Sequence, residues 1–390
     1  MSIAIDRDQA FLAAIRRIAD EIAAPNAADV DRQARFPVEA IDALRQERAL
    51  SAFVPVELGG DGVSFETIAT ACYELGRRCG ATAMVFAMHQ IQIVCLVRHL
   101  DGSPWFEDYL RSVVRDQRLV ASVTSEVGTG GDLGRSIAAV TPGTAHLSFE
   151  KQAPTVSYGA FADDLLTTLR RTPDAEPGDQ VVALTNRDQV TLEQTGTWDP
   201  LGMRGTCSPG YIVRAEFDPA QVLETPFSTV ATESMVPVSH ILWSHIWLGI
   251  ATDAFDRARA FVRASAKQRP DQVPPTALRL SHLMSELELL RAVVHSTMRD
   301  FVEASDEPGR ERLSMLSTVL HFNNLKIAAS EQAPRICQGA MAVCGIVGYK
   351  NDTPFSIGRH LRDTMSASLM VANERIHQTN ATLLLIAKDV

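Results

Sequence analysis

VASVTS (120–125), SIAAV (136–140), AHLSFE (145–150), DLLTTL (164–169), QVVALT (180–185), VTLEQ (190–194) and YIVRAEF (211–217) follow one another through the middle of this 390-residue chain. Each run is short and rich in strand-forming residues, and Gly, Pro, Asp and Asn separate them, as turns separate strands. The pattern predicts an antiparallel sheet or barrel over residues 119–228. On either side the period changes to that of helices. Upstream, Phe11, Ile15, Ile18 and Ile22 share a helix face, Pro37 and Ser64 open further helices, and Ser103-Pro104 starts another. Between them MVFAMHQIQIVCLVRHL (84–100) is apolar nearly all round, as a buried helix would be. Downstream, long amphipathic patterns over 238–265, 274–305, 310–344 and 356–387 predict an antiparallel four-helix bundle. The expected fold class is α+β, with a helical domain (1–118), a β domain (119–228) and a helical bundle (229–390). Strands are not interleaved with helices and no GxGxxG follows a strand, which excludes a dinucleotide-binding doubly wound sheet.

Composition narrows the function classes. A formal net charge of -10 argues against non-specific nucleic-acid binding and against docking on an anionic membrane. Asp6, Arg7 and Asp8 interrupt the first apolar run, so no signal peptide is expected, and unbroken apolar runs stay short of the roughly 18 residues that would span a membrane. Cys72, Cys79, Cys95, Cys207, Cys337 and Cys344 show neither CxxC nor Cys/His metal spacing. Buried free thiols, no metal and a cytoplasmic location are the expectations.

Four local stretches carry a resemblance. They are SEVGTGGD (125–132), KQAPTVSYGAFAD (151–163), LGMRGTCS (201–208) and AMAVCGIVGY (340–349), the last followed by Pro354, Arg362 and Asp363. In this order and at this length they resemble the acyl-CoA dehydrogenase superfamily over nearly the whole chain. The resemblance implies FAD as cofactor. The glycine loop would meet the flavin ring and pyrophosphate, with hydroxyls at Thr124 and Ser125 and backbone amides at Gly130 and Gly131. Small residues suit that role because they let N–H groups approach an anion closely. Thr155 falls where the family keeps a Trp over the flavin, and Ser157 where it keeps a flavin-bonding Thr. Gly345 belongs to the turn that reaches the adenine half, and Asn373 and Arg375 fall beside the flavin. Departures cluster at that adenine half. Ala342 and Ile346 replace a Gln and a Gly, and Ser265 and Gln268 replace an Arg and a Phe, leaving Lys267 or Arg269 to supply charge.

The implied chemistry is removal of an α-proton and a β-hydride from an acyl thioester, on CoA or a carrier protein, with electrons passed to a flavoprotein or to oxygen. A desolvated carboxylate is the usual base for such a reaction. The two positions where the family places it carry Val371 and Ser239. His240, beside the second, is the preferred candidate base, and Glu374, three residues past Val371, is the other; His89, on the buried helix, reads as a structural histidine. The leading hypothesis is a dehydrogenase of acyl thioesters; the runner-up is a flavin-dependent monooxygenase of the same fold that uses His or Ser near the flavin, and the third is a non-catalytic binding protein. Helices apolar on more than one face, as in MVPVSHILWSHIWLGIA (235–251), predict a homodimer or homotetramer.

Overall fold

The computed structural model describes residues 2–268, 272–305 and 309–387. The N-terminal part is helical: α1 (Ser2–Ile18), α2 (Ala24–Gln33), α3 (Val38–Gln46), α4 (Phe65–Gly76), α5 (Gly80–Arg98) and α6 (Pro104–Asp116). Ser64 caps α4 by accepting from the Thr67 amide at 3.3 Å, and Pro104 begins α6 behind Ser103. α5 is buried on almost every face. By length and composition it could cross a membrane, which the unbroken-run reading of the sequence did not anticipate. Packing accounts for that apolarity: α4, the long helix α8 (Val236–Gln268) and strand β1 (Val120–Val123) all lie against α5.

The remaining strands are β2 (Thr141–Pro142), β3 (Leu147–Ala153), β4 (Asp164–Arg170), β5 (Gln180–Asn186), β6 (Val190–Gln194) and β7 (Tyr211–Phe217). They form two small sheets rather than one, ordered β1-β4-β5 and β2-β3-β7-β6. β1 runs parallel to β4, so the expectation of a wholly antiparallel region is corrected. The chain leaves the first sheet after β1, makes the β2–β3 hairpin in the second, and returns in the original direction. SIAAV (136–140) forms no strand apart from an isolated bridge at Ala139. Its amides at Ile137 and Ala138 bond the Glu126 carboxylate instead of a neighbouring strand.

After α7 (Phe227–Val230), a π-helical turn at Ala231–Met235 leads into α8. That wider turn accommodates Pro237, which cannot donate to the ladder. α8 is the axis of the C-terminal part, buried along most of Pro237 to Phe255. Its backbone crosses α4 in direct contact: a Cβ on Gly249 would lie 2.4 Å from the Tyr73 carbonyl oxygen, and one on Gly76 2.7 Å from that of Ile246. Only glycine permits so close a crossing. α9 (Thr276–Ser305) and α10 (Leu316–Cys344) flank α8, followed by α11 (Ile346–Tyr349), α12 (Gly358–Met365) and α13 (Asn373–Ile386). The fourth long helix expected over 356–387 is therefore broken. Residues 366–372 form a turn in which Val371 takes a left-handed φ of 49°. A β-branched residue there costs on the order of 1–3 kcal/mol and needs support from its surroundings.

Candidate active site

A cavity of about 480 Å³ opens where the end of β1 and the glycine loop face α5, α8, α10 and α13. Its two ends differ. Towards the β domain it is lined by Ser122, Thr124, Gly131 to Gly134 and Arg375; between the helices it is lined by Met88, Ile91, Gln92, Met235, Trp243 and Phe322 among others. Asp132 and Arg375 are the charged side chains of the lining among the described residues, and both belong to the first end.

The glycine loop is anchored from beneath. Glu126, buried, accepts from Ser136 Oγ at 2.6 Å, Ile137 N at 3.1 Å and Ala138 N at 2.5 Å. Lys151, also buried, stands 3.6 Å from the same carboxylate and donates to the Thr168 carbonyl at 2.7 Å. Burial pushes the Lys151 ammonium down to about 8. With both ends tied, the loop between them can hold Gly128, Gly130 and Gly131 at φ of 92°, 62° and 84°. A Cβ on Gly130 would fall 3.0 Å from Arg375 Nη2, so glycine is what lets the guanidinium lie against the loop backbone. Among the described residues the Arg375 side chain has no hydrogen-bond or ion-pair partner. A half-buried, unpaired guanidinium beside positive-φ glycines fits the phosphate of a flavin, and the adjoining cavity can take its ring.

At the other end His240 is buried on the cavity wall. Its Nδ1–H donates to the Phe322 carbonyl at 3.2 Å, which leaves the Nε2 lone pair free. Burial first, and the nearby Lys326 ammonium second, push this histidine down to about 3. It is a neutral hydrogen-bond acceptor at physiological pH. Lys326 is fully buried on α10 and donates to the Val371 carbonyl and to Asn373 Oδ1, both at 2.7 Å. Hydrogen bonds from a charged donor contribute about 1.5–3 kcal/mol each, enough to outweigh the strain at Val371.

The structure brings some of the expected residues together and leaves others apart. Thr124, Gly131, His240 and Arg375 line the cavity, as do Val371 and Ser239; Gly130 lies against Arg375 at its rim. Ser125 and Thr155 meet each other, Ser125 Oγ donating to the Thr155 carbonyl at 2.7 Å, but neither is in the lining. Ser157 accepts from Ser208 Oγ at 3.0 Å, again outside it. Asn373 is buried and engaged by Lys326 and Ser330 rather than facing the cavity. Glu374 is exposed on the first turn of α13, outside the lining. Gly345, at φ of 61°, ends α10 with open space around it. His89 is structural: Nε2–H donates to the Leu50 carbonyl at 2.7 Å and Nδ1 accepts from Val120 N at 3.0 Å. Arg269 lies outside the described residues. The sequence reading missed Gln92, Trp243, Phe322 and Lys326: Gln92 sits in a helix apolar nearly all round, and the other three in long amphipathic helices whose pattern gave no reason to single them out.

Comparison with known proteins agrees with this architecture. The acyl-CoA dehydrogenase N-terminal domain family matches residues 6–108, and the acyl-CoA dehydrogenase C-terminal domain family matches residues 230–377. The cyclohex-1-ene-1-carbonyl-CoA dehydrogenase of Syntrophus aciditrophicus (strain SB) is 25% identical over 93% of this chain and 86% of its own. A probable FMNH2-dependent monooxygenase, SfnC of Pseudomonas putida, is 24% identical over 94% of this chain and 93% of its own. The fold is shared with FMN-bound TdsC from Paenibacillus sp. A11-2, at a TM-score of 0.81, 20% identity and 96% coverage of each chain. With both terminal domains matched and the middle sheets in place between them, the chain belongs to the acyl-CoA dehydrogenase superfamily.

Proposed function

We propose that this protein is a flavin-dependent monooxygenase built on the acyl-CoA dehydrogenase fold. The observation that carries the reading is the character of the wall where a base would stand. The two base positions implied by the family carry Val371 and Ser239, and the imidazole beside them is pushed to about 3. Compared with an ordinary histidine near 6.5, such a group is a weaker base by roughly three decades, far from the near-neutral value that α-proton abstraction requires. Glu374 is exposed and outside the cavity.

When bound and reduced, a flavin supplies the electrons that activate molecular oxygen. The chain's own residues do the rest. Arg375 and the Gly130–Gly131 backbone hold the flavin's phosphate end. Met88, Ile91, Met235, Trp243 and Phe322 exclude water and orient an apolar substrate. His240 Nε2 accepts a hydrogen bond from a donor on the substrate. FAD is the form implied by the family; Arg375 serves the phosphate of FMN equally well, so the binding test below uses FMN. Free, mostly buried cysteines support a reducing, cytoplasmic setting. Leu278, Leu289, Leu384 and Leu385 are exposed on α9 and α13, which supports a homodimer or homotetramer, and light scattering at micromolar concentration tests it.

Isotopic oxygen tests the oxidation reaction. The protein is mixed with chemically reduced FMN, 18O-labelled dioxygen and two apolar probes, indole and dibenzothiophene, chosen because TdsC is a dibenzothiophene monooxygenase whose structure with FMN and indole is known. The expected result is label in an oxidised probe, dependent on protein and on reduced flavin. Oxidation of an acyl thioester without oxygen would overturn the reading.

A further inference from the structure

Lys326 has no place in the function just described, yet it is fully buried, close to the cavity, and bonded in an unusual way. A buried ammonium is ordinarily matched by a carboxylate. Here its two short bonds, both 2.7 Å, go to amide oxygens: the main-chain carbonyl of Val371 and the side chain of Asn373. Both acceptors belong to the break between α12 and α13. Val371 supplies the left-handed φ of 49° that makes the break, and Asn373 is the first residue of α13. Asn373 is fixed in addition by its Nδ2–H donating to Ser330 Oγ at 3.1 Å, so α10 grips the turn at two points. On the far side of that turn stands Arg375, whose amide closes on the Ala372 carbonyl at 3.0 Å and whose guanidinium reaches the glycine loop.

We propose that Lys326 is a positioning residue: it clamps the strained turn at Val371 and thereby sets where Val371 and Arg375 stand on the cavity wall. The titratable groups bearing on it are His240 from α8, which is neutral, and Glu374 from α13. Burial is the main cause of the neutral form of His240, and the same ammonium that holds the turn adds to it. The inference rests on the proposed function only in treating this wall as the flavin site.

Two readouts test it on the full chain, neither of them turnover. Amide hydrogen exchange over residues 366–376 reports the turn, and FMN fluorescence titration reports the wall. Lys326→Met should raise exchange in that segment by at least ~tenfold while α9 is unchanged, and weaken FMN by ~tenfold or more. Lys326→Arg, which keeps a charged donor, should recover part of both. Because Asn tolerates a left-handed φ, Val371→Asn added to Lys326→Met should also recover part of the exchange protection. If Lys326→Met does not fold, Asn373→Ala removes one of the two bonds and is read in the same way. Unchanged exchange in a folded Lys326→Met protein, or no recovery on adding Val371→Asn, overturns the clamp. A wild-type protein that binds no flavin overturns the proposed function instead, and the exchange readout still decides the clamp.

Discussion

Replacing Arg375 with Ala should separate the flavin's phosphate from its ring. The guanidinium has no protein partner among the described residues and lies against Gly130 and Gly131 at the charged end of the cavity. A charge-assisted bond from Arg to a phosphate contributes about 1.5–3 kcal/mol when desolvated. This side chain is only half-buried, so solvent screening reduces that to about 1–2 kcal/mol, or roughly a 5- to 30-fold rise in Kd. The assay is parallel fluorescence titration with FMN and with riboflavin, which has the same ring and no phosphate. FMN should weaken by that factor in Arg375→Ala, and riboflavin should hardly change. Arg375→Lys should fall between, since it keeps the charge and loses the planar fork. Raising the salt concentration should weaken FMN binding in the wild type more than in the Ala variant. Equal losses for the two ligands, or no loss for either, would refute the placement of the phosphate at Arg375.

Other consequences follow from the same geometry. Glu126→Ala strips the buried Lys151 of its counter-charge and leaves the Ile137 and Ala138 amides without their acceptor, so urea unfolding should show a loss of about 3 kcal/mol; a loss under about 1 kcal/mol would contradict the anchoring role. Burial pushes His89 and His245 down to about 4 and His240 to about 3, from 6.5. The unfolded chain therefore binds more protons between about pH 6.5 and 4, so stability is full above that window and is lost as pH falls through it. Denaturant midpoints measured at pH 7, 6 and 5 should decline in that order, and a flat series would contradict it. His240→Ala, which removes a hydrogen-bond acceptor and not a base, should lower turnover by roughly 2- to 12-fold with FMN affinity nearly kept, while Glu374→Ala changes neither; a large loss of turnover in Glu374→Ala, read by steady-state kinetics, would return the chemistry to Glu374.

The order of helices, strands and helices was legible because each region keeps its own hydrophobic period over many residues, as Phe11, Ile15 and Ile18 do in α1 and Ile22 does in the π-helical turn that continues it. Local caps such as Ser64 were legible for the same reason, being decided by near neighbours. What escaped the sequence was set by contacts distant along the chain. SIAAV has the composition of a strand, but the Glu126 carboxylate, at least ten residues earlier, takes its amides. The last helix breaks at Val371, a residue with no turn propensity, because Lys326 reaches it from 45 residues away. Within the site, His240 and Arg375 were found by counting from motif positions. Trp243 and Phe322 became visible only when α8 and α10 were seen to face one cavity. Ser125, Ser157 and Asn373 carry the right chemical groups, yet the fold gives those groups protein partners.

The claim that this wall does not serve α-proton abstraction is tested most directly by one anaerobic experiment. Flavin-loaded protein is mixed with a panel of straight-chain, branched and cyclic acyl-CoA thioesters, and the visible absorption band of the oxidised flavin is followed. With Val371 and Ser239 at the base positions and His240 held near 3, the band should persist with every thioester. Rapid bleaching by any one of them would contradict the account and restore the dehydrogenase.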